Sequence, residues 1–87
     1  MNKKEKETAD RPIHERRLGH IRVTCWQNFA EGGRKWYTIV PSRRYRDGDQ
    51  WKEAFSFNGL ADMAILMEAI RLVADWLAQH EDETAND

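Results

Sequence analysis

"HIRVTCWQNF", residues 20–29, alternates. Ile21, Val23 and Cys25 fall on one side, and Arg22, Thr24 and Trp26 on the other. A period of two with one apolar side marks a strand with one buried face. Working outward, "AEGGR" (30–34) carries Gly32-Gly33, a turn signal. "KWYTIVPSRRY" (35–45) resumes the alternation, with Tyr37, Ile39 and Pro41 opposite Trp36, Thr38, Val40 and Ser42. "RDGDQ" (46–50) holds an Asp-Gly turn signal. "WKEAFSF" (51–57) reads as a further strand, with Phe55 and Phe57 inward and Lys52, Ala54 and Ser56 outward. Upstream, "PIHERRLG" (12–19) reads either as a short extra strand or as the bent start of the first. Pro41 is the misfit. Proline has no N–H to give a ladder and avoids central strands, so a bulge or a break in pairing is expected there.

Asn58 and Gly59 end the sheet, and Asn58 is a good N-cap. From Leu60 to about His80 the pattern is helical, with Asp62 placed to suit the helix dipole. The expected fold is therefore α+β: an antiparallel meander of three to four strands followed by one long C-terminal helix. The helix has two apolar faces, where an ordinary surface helix has one. Leu60, Met63, Leu66, Met67, Ile70, Val73, Ala74 and Leu77 make the first, and Ile65, Ala69, Leu72 and Trp76 the second. One face meets the sheet. The other is expected to meet a second copy of the chain, giving a homodimer with Ile65, Ala69, Leu72 and Trp76 at its interface.

The totals agree with that need for a partner. A chain of 87 residues makes one small domain of marginal stability unless something is added. Cys25 is alone, which excludes an internal disulfide and suits a reducing cytosol. His14, His20 and His80 are scattered and share a single thiol, so no zinc set and no cofactor is expected. No stretch approaches bilayer-spanning length, and the first residues lack a signal peptide's apolar region. A soluble cytoplasmic protein is expected, nucleoid-associated if bacterial. Residues 1–12 read as a charged tail, 13–80 as the folded domain and 81–87 as an acidic tail.

The net charge of -1 hides an asymmetry. Residues 1–59 carry 13 Lys+Arg against 8 Asp+Glu, or +5; residues 60–87 carry 1 against 7, or -6. A basic half of this kind points to a polyanion. The basic half is also where the rings are. The outward set is Arg22, Thr24, Trp26, Trp36, Thr38, Ser42, Lys52 and Ser56, flanked by Arg34, Lys35, Arg43, Arg44 and Tyr45. Solvent alone does not favour Trp on such a face. Unpaired bases offer π-faces for stacking and their phosphates need cations, so single-stranded nucleic acid wants both. The competing reading packs Trp26 and Trp36 against each other across two strands. No nucleophile–base pairing stands at useful spacing, and Asp47-Gly48-Asp49 is a turn rather than a cation loop, so no enzyme is expected. Docking of an acidic protein and binding of single-stranded RNA are the alternatives.

The order "LGHIRVTCW" (18–26), "KWYTIVPSRRYRDGDQWK" (35–52), "FSFN" (55–58) and one long helix resembles a known family. It is similar to the C-terminal domain of the eukaryotic transcriptional coactivator positive cofactor four and its small phage and bacterial homologues. The resemblance spans roughly residues 13–80. It implies a strongly curved sheet, a homodimer built through the helices, and single-stranded DNA bound with little sequence preference. Partners in transcription or replication are implied as well. Trp26 resembles the family's stacking aromatic, and Tyr45 the aromatic before the last turn. Arg34, Lys35 and Trp36 stand at its basic strand start, with Trp36 replacing a cation. Ser42 replaces an Arg whose charge Arg43 and Arg44 are expected to supply. Lys52 matches the basic start of the last strand, whereas Glu53-Ala54 replaces Lys-Gly and Pro41 has no counterpart.

Overall fold

The computed structural model describes residues 11–85, with side chains as far as Glu81. The expected N-terminal tail thus falls almost wholly outside the described residues. Four strands precede one helix: β1 (His14–Leu18), β2 (Ile21–Phe29), β3 (Lys35–Asp47), β4 (Gln50–Ala54) and α1 (Gly59–Ala85). The strands form one open antiparallel sheet in chain order, β1-β2-β3-β4. This is the expected α+β meander, and "PIHERRLG" supplies a strand of its own. The helix continues beyond His80, through most of the expected acidic tail.

Two hairpins share one device. Leu18 pairs with Ile21 and Asp47 with Gln50, each across a two-residue loop. The first loop residue is Gly19 at φ 62 in one and Gly48 at φ 65 in the other. Positive φ at the first position alone is the type II′ pattern, which matches strand twist and which glycine adopts without a Cβ clash. The β2–β3 connection is longer and passes through a 3-10 turn at Glu31–Gly33.

Pro41 sits in a strand with neighbours on both sides, yet the register from Ile21↔Arg43 to Phe29↔Lys35 is continuous. The expected bulge is absent for a geometric reason. Arg44 N–H donates to the His20 carbonyl at 2.8 Å, and Ala30 N–H to that of Arg34 at 2.8 Å. Bonded and non-bonded pairs alternate along an antiparallel ladder. Pro41↔Val23 is therefore a non-bonded pair, and the proline nitrogen points away from β2. On its other side β4 has already ended at Ala54↔Arg43. The missing donor falls where nothing would accept it.

α1 packs on β1 and β2. Ile21, Val23 and Cys25 are fully buried, and Val23 and Cys25 meet Ala69 and Val73 of the helix. Around this centre lie Ile13, Leu18, Tyr37, Leu66, Trp76 and Leu77. The core draws on both expected faces of the helix: Leu66, Val73 and Leu77 from the first, Ala69 and Trp76 from the second. Ala69 is 0% exposed and Trp76 packs on the core, so they belong to the chain's own interior and not to a free interface. Ile65 and Leu72 flank them, half-buried. Leu60, Met63, Met67 and Ile70 are the exposed set, Met67 to 67%. Both stripes are apolar, so periodicity alone does not rank them. Ala69, with no side chain beyond Cβ, permits the closest approach of helix to sheet.

Trp76 fixes the far half of the helix. Its ring lies parallel to His14 of β1 (centroids 4.2 Å apart, 1° between planes) and to His80 (4.7 Å, 10°). His80 in turn meets Tyr37 edge-on at 5.8 Å. Burial, with Arg16 nearby, holds His14 below the usual imidazole range. His14 is thus a packing group. At the near end, Asp62 accepts the backbone N–H of Asn58 (2.8 Å) and bonds His20 Nε2 (2.8 Å). The Asn58 N–H, helped by His20, keeps this buried carboxyl below its ordinary range. The carboxylate that ties down the helix start is therefore that of Asp62.

No helix among the described residues is long and apolar enough to cross a membrane.

Candidate nucleic-acid interface

The strand registers place Glu15, Arg17, Arg22, Thr24, Trp26 and Asn28 on the sheet face away from α1. Trp36, Thr38, Val40, Ser42, Arg44, Arg46, Trp51 and Glu53 share that face. Four arginines against two glutamates leave the strands of this face cationic. The expected set divides on it.

Arg22, Thr24, Trp26, Trp36, Thr38, Ser42 and Arg44 are on the helix-free face as expected. Not all are accessible. Ser42 is 2% exposed and Thr24 is also buried. Thr24 Oγ1 donates to the Val40 carbonyl (3.2 Å) and accepts from Trp26 Nε1 (3.0 Å). Asn28 Nδ2 donates to Thr38 Oγ1 at 2.7 Å. These groups brace the face, because a buried donor or acceptor must be satisfied. Trp26 is half-buried with its N–H engaged, whereas Trp36 is 40% exposed with Arg34 stacked at 5.3 Å from its ring. The two Trp are not cross-strand partners: Trp26 pairs with Thr38, and Trp36 with Asn28.

Four expected residues belong to the other face. Lys35 pairs with Phe29, Arg43 with Ile21 and Ala54, and Tyr45 with Lys52, all on the helix side. Lys52 was expected outward; its Nζ instead meets Asp47 at 3.0 Å. Arg43 was expected to serve phosphates. Its Nε donates to the Ser56 carbonyl at 2.7 Å and lies 3.9 Å from Asp62, so it ties β3 to the start of the helix. Phe55 and Ser56, expected in a strand, lie past the end of β4, and Phe55 is exposed rather than inward. Ile39, expected in the core, faces the helix side where α1 no longer covers the sheet.

The faces of β4 are shifted by one residue from the expected alternation, with Trp51 and Glu53 on the helix-free face and Lys52 on the helix side. Trp51, 56% exposed, is the residue this displaced. Arg46 stands opposite it, and the guanidiniums of Arg44 and Arg46 lie 4.5 and 5.3 Å from its ring centroid. The signal lay in the turn. A two-residue loop at Gly48-Asp49 pairs residues 47 and 50, so 46 and 51 must share a face. It is the face that carries Trp36 and Ser42.

Beside Trp51 a cleft of about 400 Å³ is lined by Arg17, Arg22, Arg44, Trp51, Lys52 and Glu53. Arg22 Nη2 donates to Glu53 Oε2 at 3.0 Å, and Arg22 Nη1 lies 3.9 Å from Glu15 Oε2. A hydrogen bond from Ser42, aided by Arg22, holds the Glu53 carboxyl below its ordinary range. Arg44 and Arg46 have no carboxylate partner within ion-pair distance among the described residues. Such an array can hold anions and planar rings together. Among the described residues no three His, Cys, Asp or Glu side chains gather as a metal centre would require.

No known family model, curated protein or solved structure matches the chain.

Proposed function

We propose that this chain is a non-enzymatic protein that binds single-stranded DNA across the helix-free face of its sheet, as a homodimer. The family resemblance suggests the ligand, and one observation carries the reading. Trp36 and Trp51 are both exposed on that face, and each has a guanidinium against its ring. Exposed indoles accept stacked bases at about 1–3 kcal/mol per base, without regard to sequence. Arg17, Arg22, Arg44 and Arg46 then follow the phosphates, so affinity falls steeply with salt as counterions are released. A duplex hides its base faces and forfeits the stacking contribution. The role lies in transcription regulation, replication, recombination or repair.

The dimer is proposed through Leu60, Met63, Met67 and Ile70, the apolar stripe that the sheet leaves uncovered. An unpartnered apolar stripe of this kind is what a second copy buries.

Fluorescence anisotropy with labelled oligothymidine against a matched duplex tests the ligand. The single strand should bind at least tenfold tighter. Equal or undetectable binding to both refutes the reading, and oligouridine binding as tightly as oligothymidine turns it to RNA. Sedimentation at micromolar concentration should give twice the chain mass, and Met67→Lys should return it to one.

A further inference from the structure

We infer that the cleft beside Trp51 is a single-nucleotide subsite that prefers a base bearing an exocyclic amine, with Glu53 as the acceptor that reads it. This rests on the single-strand reading above and adds selectivity at one position of the track.

A cleft that held only phosphate would have no use for a carboxylate, which repels it. Glu53 is nevertheless built into this one. It lines the cavity with Arg17, Arg22, Arg44, Trp51 and Lys52. It is held rather than loose, since Arg22 Nη2 lies 3.0 Å from Oε2. The Ser42 hydroxyl is a second partner, and Ser42 is itself buried. An ionised carboxylate offers about four acceptor positions and no donor. Two partners leave part of that capacity unused, and the Glu53 side chain is still 39% exposed.

The geometry relates Glu53 to a base. Trp51 and Glu53 are two residues apart on β4, so both point from the same face, roughly 7 Å apart along the strand. That is the reach of a base laid on the indole, which brings its edge toward the carboxylate. Arg44, opposite Glu53 and with no carboxylate partner among the described residues, remains for the adjoining phosphate. The volume of about 400 Å³ suits one nucleotide.

The chemistry then discriminates. Cytosine presents its N4 amine and adenine its N6 amine, both donors to a carboxylate. Guanine offers N1–H and its N2 amine together. Thymine and uracil present one N3–H flanked by two carbonyl oxygens, which an acceptor-only group meets with repulsion. A hydrogen bond to a charged group, set against that repulsion, corresponds to roughly tenfold in affinity.

The experiment uses the intact chain and three labelled strands of equal length, read by anisotropy at neutral pH. One is oligothymidine. The second carries three interspersed deoxycytidines, and the third carries N4,N4-dimethyldeoxycytidine at the same positions. The cytidine strand and oligothymidine are also titrated with Glu53→Gln, checked for fold by circular dichroism. The cytidine strand should bind the native protein about five- to tenfold tighter than oligothymidine. The dimethyl strand should lose that gain. In Glu53→Gln the cytidine preference should fall below twofold, while oligothymidine binds as tightly as before or tighter. Equal affinity for cytidine and thymidine strands overturns the inference alone, as does a gain that survives N4 methylation or survives in folded Glu53→Gln. Should Glu53→Gln fail to fold, the methylated strand on the native protein decides. Failure of every strand to bind overturns both this inference and the reading beneath it.

Discussion

The sheet has two halves with different work. β1 and β2 lie under α1, where Ile21 is fully buried and Val23 and Cys25 pack against Ala69 and Val73. β3 beyond Pro41, together with β4, extends past the helix and keeps Trp51, Tyr45 and Arg46 exposed. The covered half obtains its order from apolar burial. The uncovered half obtains it from ladder bonds, the two-residue hairpin between β3 and β4, and pairs such as Lys52–Asp47. A small domain can thus concentrate its stability in one half and leave rings and guanidiniums accessible in the other.

Substitutions can break this contrast. The largest effect is expected from Val23→Asp. It places an unpaired carboxylate at a fully buried position, and a loss of about 4 kcal/mol or more should abolish cooperative thermal unfolding followed by circular dichroism. In the uncovered half, Trp51→Ala should do the reverse. Oligothymidine binding should weaken by about 1–3 kcal/mol, while the melting temperature moves by only a few degrees. A Trp51→Ala protein that melts far below the native one would show that β4 depends on its indole and would erase the distinction.

Arg44→Gln is a finer probe. Removing one phosphate contact should lower the magnitude of the slope of log affinity against log salt by about 1, with the fold intact. An unchanged slope would place the strand elsewhere on the molecule.

The smallest effect concerns acid. His14 is held below its usual range by burial and by Arg16, so the unfolded chain takes up its proton first. Stability is then fully present above the ordinary imidazole value of 6.5 and declines as pH falls below it. Chemical denaturation midpoints between pH 7.5 and 5.5 should show that decline, and His14→Phe should flatten it. A native protein as stable at pH 5.5 as at 7.5 would mean that the stack on Trp76 tolerates the charge.

Much of the fold was legible. The alternation in residues 21–26 and 36–42 assigned their faces correctly, because a strand's period of two depends only on backbone geometry. The faces of Trp51 and Lys52 depend on the phase that the Gly48-Asp49 hairpin carries from β3 into β4, which the alternation within residues 51–57 does not contain. Pro41 could not be reconciled in advance, since its tolerance depends on which pairs bond and where β4 stops. The roles of Arg43 and Arg44 were also inseparable in the sequence. They are adjacent cations, yet one binds the Ser56 carbonyl and the other lies over Trp51.

The sequence by itself determined the order of β2, β3, β4 and α1, the turns between those strands, and the concentration of cations and rings in the first 59 residues. These follow from local rules of spacing, turn chemistry and charge. Tertiary structure decided which apolar stripe of α1 meets the sheet, how far that helix reaches, and which aromatics stay exposed. Those outcomes turn on close approach at Ala69 and on the register of β4, neither of which a local pattern contains. The alternation in 20–29 thus names a buried face correctly, but only packing shows that its Trp26 is half-covered and that the accessible rings on the opposite face are those of Trp36 and Trp51.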